Sequence, residues 1–145
     1  AINIRKNIVE MITKSKSGHP GGSLSATEIL TYLYFKEMNI NEENLDSKER
    51  DYFVLSKGHA APVLYATLSE RGFIPKEELM TLRQLGSNLQ GHPDNKKVKA
   101  IDISTGSLGQ GISNAVGLAL GAKIDNADSR IYTVLGDGEL QEGLV

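Results

Sequence analysis

Short apolar runs alternate along the chain with longer segments in which apolar residues recur at helical spacing. The runs at residues 52–55 and 130–135 are aromatic, β-branched and almost wholly apolar. Such runs predict strands that are buried on both faces of a parallel sheet. A shorter run at 101–103 is a candidate third strand. The periodic segments predict helices over about residues 2–16, 60–71, 75–82 and 112–124, and a further helix that starts at Ser25.

This alternation of strands and helices predicts an α/β fold, with a parallel sheet and helices on both faces. The segment Ser25-Ala26-Thr27-Glu28 has the spacing of a capping box, which is why a helix is predicted to begin at Ser25. The last predicted helix is apolar on nearly all sides and carries Gly117 and Gly121 one turn apart. We therefore expect it to pack closely against the sheet.

A carboxylate stands where the second long strand is predicted to end. Gly136-Asp137-Gly138 directly follows the apolar run. Open α/β sheets bind ligands at the carboxyl ends of their strands, and the flanking glycines allow backbone N–H groups to approach a phosphate. The Asp137 carboxylate suits a hard cation such as Mg²⁺. Taken alone, the tripeptide favours an ordinary loop Asp between two turn glycines.

All three histidines of the chain share one local setting: Gly18-His19-Pro20, Gly58-His59-Ala60 and Gly91-His92-Pro93. The preceding Gly and the following Pro or Ala place each imidazole in a loop or at the entry to a helix. Loops on a rigid scaffold concentrate binding and catalytic groups. Any one of these histidines, considered singly, is as compatible with a solvated loop residue.

The segment at 104–111 is rich in glycine and reads Ser-Thr-Gly-Ser-Leu-Gly-Gln-Gly. Its G-x-x-G-x-G spacing differs from the dinucleotide-binding G-x-G-x-x-G, and no Lys-Ser/Thr pair follows it as in a P-loop. The segment is either a tight turn into the next helix or a turn that exposes backbone groups to a cofactor. We expect it to share one edge of the sheet with the loops that follow strands 52–55 and 131–135.

Composition narrows the class of protein. The 145 residues are 39% apolar and 23% charged, and a net charge of −2 gives no electrostatic basis for binding nucleic acid or an anionic membrane. The absence of cysteine excludes disulfides and thiolate chemistry in this stretch and fits a cytoplasmic protein. No signal peptide is visible, and the apolar stretch at 112–122 is too short to span a bilayer. Because Ala1 already lies in a helical pattern, we expect the true start of the protein upstream.

Five short segments of the chain occur in the order and spacing of one enzyme family. They are Ser17-Gly18-His19-Pro20-Gly21-Gly22-Ser23, Phe53-Val54-Leu55-Ser56-Lys57-Gly58-His59-Ala60, Gly91-His92-Pro93, residues 104–111 and residues 136–143. Together they resemble the amino-terminal, diphosphate-binding part of transketolases, from about Ile4 to the last residue. The Gly-Gly-Ser-Leu-Ser that follows Pro20 and the Gly-Ser-Asn-Leu-Gln before Gly91 are most similar to transketolases encoded as separate amino- and carboxyl-terminal subunits.

The resemblance implies a cofactor, thiamine diphosphate, bound together with Mg²⁺ or Ca²⁺. Asp137 matches the family's metal-ligand Asp, and Gly138 matches a backbone donor to the diphosphate. Gly106 and Leu108 match positions that line the cofactor, and His59 matches a histidine near the diphosphate and the thiazolium ring. The family's second metal ligand, an Asn, and the glutamate that activates the aminopyrimidine are expected beyond this stretch.

The resemblance also implies catalytic roles for His19, His59, His92 and Glu142. His19 matches a residue that contacts substrate hydroxyls and assists proton transfer, and His92 one that meets the C1 hydroxyl of the donor ketose. Glu142 matches a carboxylate at the dimer interface that links two active sites. The implied activity is the transfer of a two-carbon glycolaldehyde unit from a ketose phosphate to an aldose phosphate, in the pentose phosphate pathway.

Residues 1–145 are therefore expected to be the diphosphate-binding domain of a thiamine diphosphate enzyme, truncated at both ends and inactive alone. The expected partners are sugar phosphate substrates and a carboxyl-terminal transketolase part or subunit, in a homodimer or heterotetramer. Neither nucleic acid nor a membrane is expected as a partner.

Other classes of protein stay open on the sequence. Dihydroxyacetone synthase and deoxyxylulose-phosphate synthase are further thiamine diphosphate enzymes, and the latter shares the Gly-Asp-Gly with the pyruvate-dehydrogenase type. The Gly-His-Ala and Gly-His-Pro segments favour transketolase over deoxyxylulose-phosphate synthase and the pyruvate-dehydrogenase type, but they exclude dihydroxyacetone synthase less well. A three-histidine metalloprotein is disfavoured because the histidines form no H-x-H or H-E-x-x-H pair. A non-catalytic interaction module is disfavoured by the presence of all three loop histidines.

Overall fold

Two parallel strands form the sheet of the molecule, which a computed structural model describes over all 145 residues. Strand β1 covers Tyr52–Leu55 and strand β2 covers Ile131–Val134. Their residues pair in order, from Tyr52 opposite Ile131 to Leu55 opposite Val134. Parallel strands cannot be joined by a hairpin, so the chain crosses from one to the other through helices. The predicted α/β fold is confirmed.

Helices make up most of the remaining ordered elements. The α-helices are α1 (Ile2–Ser15), α2 (Pro20–Ser25), α3 (Thr27–Tyr32), α4 (Ala61–Glu70) and α5 (Gln110–Ile124). A π-helical turn at Leu33–Glu37 extends α3, and 3₁₀ turns cover Gly58–Ala60, Lys76–Thr81 and Gly138–Gln141. The helices predicted near 2–16, 60–71 and 112–124 are confirmed, and the one near 75–82 is a 3₁₀ helix.

The helices cover both faces of the sheet. On one face Phe53 packs edge-to-face against Tyr34, with 5.4 Å between the ring centroids. Side chains alternate along a strand, so Tyr52 points to the opposite face. There it lines a groove together with residues of α5. The predicted placement of helices on both sides is therefore confirmed.

The hydrophobic core lies on the Phe53 side of the sheet. It unites 24 buried side chains of α1, α3, α4, β1 and the loops around them. Its largest fully buried members are Tyr34, Tyr65, Ile4, Ile8, Met11, Leu30, Leu55, Leu68, Leu79, Leu82 and Leu89. Val54 and Ala115 are buried but lie outside this cluster. The chain thus has one main core, and α5 lies apart from it.

The predicted helix start at Ser25 is wrong. The backbone is already helical from Pro20, and Ser25 ends α2 instead of capping a helix. Its hydroxyl donates to the carbonyl of Gly22 at 3.2 Å, and no side chain caps α3. Proline at the first helical position has the right φ and lacks an N–H that would need a partner, so it starts a helix efficiently.

Residues 101–103 do not form a strand, contrary to the prediction. Ile101 belongs to a turn in which its N–H donates to the carbonyl of Val98. The contact with β1 is made by a side chain: a carboxylate oxygen of Asp102 accepts the Phe53 N–H at 2.7 Å. The other oxygen binds Arg50 at 2.5 Å, in an ion pair that is almost fully buried. The Asp102 carboxylate thus accepts the Phe53 N–H, which the backbone carbonyl of a third strand would otherwise have accepted.

Burial around α5 and β2 is lower than predicted. Gly117 and Gly121 are exposed with open space around them, so they are not the positions of close packing. The close approach is at Gly111, where an added Cβ would lie 2.5 Å from the Ser56 Cα. Every residue of β2 is only half-buried, whereas three of the four residues of β1 are buried, so the prediction of burial on both faces is wrong for β2. None of the helices combines the length and the apolar composition needed to cross a bilayer.

Candidate functional site at the carboxyl edge of the sheet

Three loops meet at the carboxyl edge of the sheet. Thr105 donates its hydroxyl to the carbonyl of Leu55, the last residue of β1, at 2.7 Å. An added Cβ on Gly58 would lie 2.7 Å from the Gly106 nitrogen. The N–H of Gly109 donates to a carboxylate oxygen of Glu139, beyond β2, at 3.0 Å. The predicted convergence of the loops after both strands with the 104–111 loop is confirmed.

The three predicted histidines come together at this edge. His19 precedes the first turn of α2, and its ring lies edge-on to that of His59, with 5.2 Å between the centroids. His59 lies in the 3₁₀ turn after β1 and packs so close to Gly22 that an added Cβ there would be 3.2 Å from its Nε2. The ring of His92 lies against Gly106, where an added Cβ would be 3.0 Å from its Cγ. Two glycines thus leave the room that two imidazoles occupy.

The electrostatic setting favours neutral imidazoles. Burial lowers the pKa of His59 from 6.5, and the neighbouring His19 and Lys57 lower it further. Loss of water on the covered side of the ring also lowers the pKa of His92, with added repulsion from Arg83 and His19. A neutral imidazole can accept a proton on one nitrogen and donate one from the other, so both rings are suited to proton transfer near neutral pH.

His92 stands on a loop that is anchored from below. The buried hydroxyl of Tyr65, on α4, lies 2.8 Å from the carbonyl of Gln90 and 3.1 Å from that of His92. Burial raises the pKa of Tyr65, so the hydroxyl keeps its proton and acts as the donor. Arg83 approaches from the surface, where it donates to the Ser17 hydroxyl at 2.9 Å. The imidazole is exposed while the backbone that carries it is held in place.

Lys57 is a charged residue of the site that the sequence did not single out. It is buried, and its Nζ donates to the Gly22 carbonyl at 2.9 Å and approaches the Ser25 hydroxyl at 3.3 Å. Burial lowers the pKa of Lys57, while the carboxylates of Glu139 and Asp137 act in the opposite direction. The ammonium therefore ties α2, next to His19, to the loop that carries His59. Its position within Ser-Lys-Gly-His was the only available signal.

Glu139 is the second residue that sequence reasoning missed. Its side chain is 2% exposed and accepts hydrogen bonds from the Ser56 hydroxyl, the Gly109 N–H and the Gly136 N–H. Burial acts to raise the pKa of Glu139, but these three hydrogen bonds outweigh it and the pKa is lowered. The sequence did contain a signal for this bond. Glu139 lies three residues after Gly136, and in a capping box the side chain of a Glu likewise accepts the backbone N–H three residues before it.

Asp137 and Gly138 lie at the surface beside this buried carboxylate. Asp137 is exposed, and its side chain makes no hydrogen bond within the chain. The N–H of Gly138 likewise donates to no group of the protein, and nothing lies within 4 Å of its added Cβ. A free carboxylate and a free N–H therefore stand together at the end of β2, where the sequence predicted them.

Gly106, Leu108 and Glu142 complete the predicted set. The N–H groups of Gly106, Ser107 and Leu108 have no acceptor within the chain, and Leu108 is half-buried. Glu142 is exposed, with its Cβ 2.9 Å from the position of an added Cβ on Gly109. The 104–111 loop thus contains three N–H groups without a partner within the chain, and its role towards a cofactor stays a prediction.

The donor set fits a diphosphate group, and it supplies part of a metal site. Unpaired backbone N–H groups that point from loops are ready ligands for phosphate oxygens. Asp137 is a hard oxygen ligand of the kind that Mg²⁺ takes in combination with phosphate oxygens. No group of three His, Asp or Glu side chains is arranged to hold a metal ion by itself. The three histidines therefore form no metal site of their own in this structure.

The larger concavities of the molecule lie away from this edge. One of about 820 Å³ runs along α5 beside Tyr52, and one of about 580 Å³ lies between the start of α1 and Phe35. A smaller one of about 220 Å³ is lined by residues of the 104–114 segment. The histidines and Asp137 stand on an open surface of this chain rather than in a closed cavity.

Fold and site define an α/β ligand-binding domain, and comparison with known proteins assigns its family. The family described as "Transketolase, thiamine diphosphate binding domain" matches over residues 1–145. The chain belongs to the transketolase family, as its motifs suggested.

The relatives include split and full-length enzymes. The chain is 49% identical over 142 residues to the 6-deoxy-6-sulfo-D-fructose transketolase subunit SqwG of Clostridium sp. (strain MSTE9), covering 98% of this chain and 52% of the relative. It is 46% identical over 141 residues to one of the subunits of the apulose-4-phosphate transketolase of Phocaeicola vulgatus, covering 97% of this chain and 50% of that one. It is 45% identical over 146 residues to the transketolase of Homo sapiens, covering 100% of this chain and 23% of the human protein.

A solved structure agrees with this assignment. The transketolase of Pichia stipitis in complex with sedoheptulose-7-phosphate matches with a TM-score of 0.87 at 39% identity, over 97% of this chain and 22% of that chain. The chain spans about half the length of the subunit relatives and less than a quarter of the full-length ones.

Proposed function

We propose that residues 1–145 form part of the diphosphate-binding domain of a transketolase. The complete enzyme would transfer a two-carbon glycolaldehyde unit from a ketose phosphate to an aldose phosphate. The observation that carries the proposal is the meeting, at one sheet edge, of an exposed Asp137, unpaired backbone N–H groups and three histidines. A cytoplasmic location belongs to the same proposal and is supported by the cysteine-free composition.

In this proposal the loops of the site hold the diphosphate end of thiamine diphosphate. When bound, the cofactor supplies the carbon nucleophile that the transfer requires. The Gly138 N–H would donate to the diphosphate, and Asp137 would be one ligand of the accompanying Mg²⁺ or Ca²⁺. Gly106 and Leu108 would line the cofactor with backbone groups, and His59 would stand beside the diphosphate. The supporting observation is that the N–H groups of Gly138, Gly106 and Leu108 have no acceptor within the chain. Gly58, which precedes His59, lies against Gly106.

The histidines would transfer protons and bind substrate hydroxyls. Because burial lowers the pKa of His59 and of His92, both would be neutral at physiological pH and able to donate or accept. His19 contacts His59 and would act with it on the substrate. His92, on its anchored loop, would meet the C1 hydroxyl of the donor ketose. All three would be catalytic residues of the complete enzyme.

Completion of the site would require a partner. Relatives of this chain are named as transketolase subunits, which supports a carboxyl-terminal subunit or part as the partner here. We propose that Glu142, exposed at the end of the chain, lies at the interface of a homodimer or heterotetramer. The 145 residues alone would then be inactive, because no three of their His, Asp or Glu side chains are grouped to hold the metal ion.

Two substitutions in the complete enzyme test the proposed division of roles. Asp137→Ala should abolish Mg²⁺-dependent binding of thiamine diphosphate, because the diphosphate loses its bridging cation. His92→Ala should leave the cofactor Kd close to that of the wild type and raise the KM for donor ketose. Asp128→Ala, a change at another exposed Asp that makes no hydrogen bond through its side chain, is the matched control and should behave as wild type.

Calorimetric titration measures the Kd, and a coupled assay with ketose and aldose phosphates measures the KM. Equal loss of cofactor affinity in the Asp137 and His92 variants would contradict the assignment. If the wild-type enzyme binds the cofactor but transfers no two-carbon unit, the proposed cofactor site stands and the proposed transketolase activity is refuted.

A further inference from the structure

The buried carboxylate of Glu139 joins three separate segments of the chain. One oxygen accepts the Ser56 hydroxyl at 2.6 Å and the Gly109 N–H at 3.0 Å, and the other accepts the Gly136 N–H at 2.9 Å. Ser56 directly follows β1, Gly109 lies in the glycine-rich loop, and Gly136 follows β2. No other side chain of the molecule holds these three loops at once.

Hydrogen bonds rather than an ion pair support this carboxylate. Glu139 forms no salt bridge, and the nearby ammonium of Lys57 donates to the Gly22 carbonyl instead. A buried carboxylate is costly unless its oxygens accept several hydrogen bonds, and bonds to an ionised acceptor are among the strongest in proteins. Loss of the Glu139 carboxylate would therefore leave three donors without their acceptor, and loss of the donors would leave the carboxylate buried without hydrogen bonds.

The bonded donors lie close in sequence to unpaired ones. Gly136 is bound to Glu139, whereas the N–H of Gly138, two residues later, is free. Gly109 is bound, whereas the N–H groups of the preceding residues 106–108 are free. Gly109 also has φ +80, which a residue with a side chain rarely adopts. Glu139 thus fixes one N–H group in each of two loops, close to N–H groups that have no partner within the chain.

We propose that Glu139 is a positioning residue that sets the distance between the Asp137–Gly138 turn and the 106–108 loop, so that both engage one diphosphate-bearing cofactor. The inference rests on the proposed cofactor site but concerns a residue that need not touch the cofactor. Without the carboxylate, the two loops lose the hydrogen bonds that join them through Glu139. Binding would then require ordering both loops, and that cost weakens affinity.

The test uses Glu139→Gln in the complete enzyme, with calorimetric titration of thiamine diphosphate at fixed Mg²⁺ and of Mg²⁺ at fixed cofactor. Glutamine has the same length but only one acceptor oxygen, so at least one of the three N–H or O–H donors loses its partner. We expect both Kd values to rise about ten-fold or more, the effect of losing one or two charge-assisted hydrogen bonds. Activity at saturating cofactor should return to within a few-fold of wild type.

Two companion variants sharpen the result. Ser56→Ala removes one of the three hydrogen bonds and should raise the Kd in the same direction by a smaller factor, which keeps the test valid if Glu139→Gln folds poorly. Glu10→Gln, at an exposed glutamate of α1, should leave the Kd unchanged.

The outcomes separate a positioning role from a structural one. A purely structural role lowers the melting temperature or the active fraction, while the folded molecules keep the wild-type Kd. Wild-type Kd values in both Glu139→Gln and Ser56→Ala would overturn the inference. If the wild-type enzyme itself binds no thiamine diphosphate, the proposed function fails instead, and that result is distinguishable because it does not depend on Glu139.

Discussion

Helix α5 approaches the end of β1 so closely at Gly111 that no room is left for even a methyl side chain there. A Cβ added there would lie 2.5 Å from both the Cα and the hydroxyl oxygen of Ser56, the residue that follows β1. No real pair of carbon atoms packs at that distance. Because the Ser56 Cα is backbone, it cannot turn away as a flexible side chain would. Gly111→Ala must therefore push α5 away from β1.

The magnitude follows from two opposing effects. Overpacking of a tight contact typically costs about 1–3 kcal/mol, and an immovable backbone atom places this case in the upper part of that range. Alanine in place of glycine favours a helix by at most about 1 kcal/mol, and by less in the first turn, where Gly111 lies. We expect the free energy of unfolding to fall by about 2 kcal/mol as the difference of the two.

Urea denaturation of the 145-residue chain, followed by circular dichroism, measures this change. Gly117→Ala and Gly121→Ala are matched controls in the same helix, because nothing lies within 4 Å of an added Cβ at either position. Both controls should be neutral or stabilising by up to about 1 kcal/mol. Wild-type stability of Gly111→Ala, or equal destabilisation in all three variants, would refute the packing argument.

Two further predictions concern buried charge and protonation. Asp102→Ala leaves the buried guanidinium of Arg50 and the Phe53 N–H without their acceptor, so the free energy of unfolding should fall by about 3–5 kcal/mol. Asp102→Asn keeps one acceptor oxygen, so its free energy of unfolding should fall clearly less. Equal losses of the two variants in urea denaturation would contradict this account. Because the fold lowers the pKa of His59 and of His92 from 6.5, the native state prefers neutral rings, the unfolded chain binds more protons, and stability should fall as the pH drops below about 6.5. NMR titration should place both rings below the value of an unfolded histidine, and a ring that titrates above it would contradict the burial argument.

Local patterns in the sequence were sufficient for the elements with clear periodicity. The apolar runs at 52–55 and 131–134 became the two strands, and their Val, Ile and aromatic content is what a pleated surface accommodates. The periodic segment at the start of the chain became α1, which buries Ile4, Ile8 and Met11 on one face. The motifs also indicated the family, because the type and order of loop residues do not depend on knowing the packing.

Local patterns failed where two structures competed for the same residues. Ser25 has a capping-box spacing, but Pro20 begins the helical path earlier, so Ser25 falls at its end. Residues 101–103 are apolar enough for a strand, yet the Asp102 side chain takes the hydrogen bond that a strand backbone would make. The start at Pro20 lies within the same local segment as Ser25, whereas the bond from Phe53 to Asp102 joins residues 49 positions apart, which no window of adjacent residues contains.

The sequence by itself identified most of the candidate residues of the site, and the convergence of the loops that carry His59 and Asp137 could be predicted because parallel strands end at one edge of the sheet. Their assigned roles stay predictions. Only the tertiary structure decided which face of α5 approaches the sheet and how the three loops are held together. The buried carboxylate of Glu139 joins Ser56, Gly109 and Gly136, which come from three distant parts of the chain. The physical reason is that side-chain periodicity specifies a local conformation, whereas a buried hydrogen bond between distant segments exists only once the chain has folded around it.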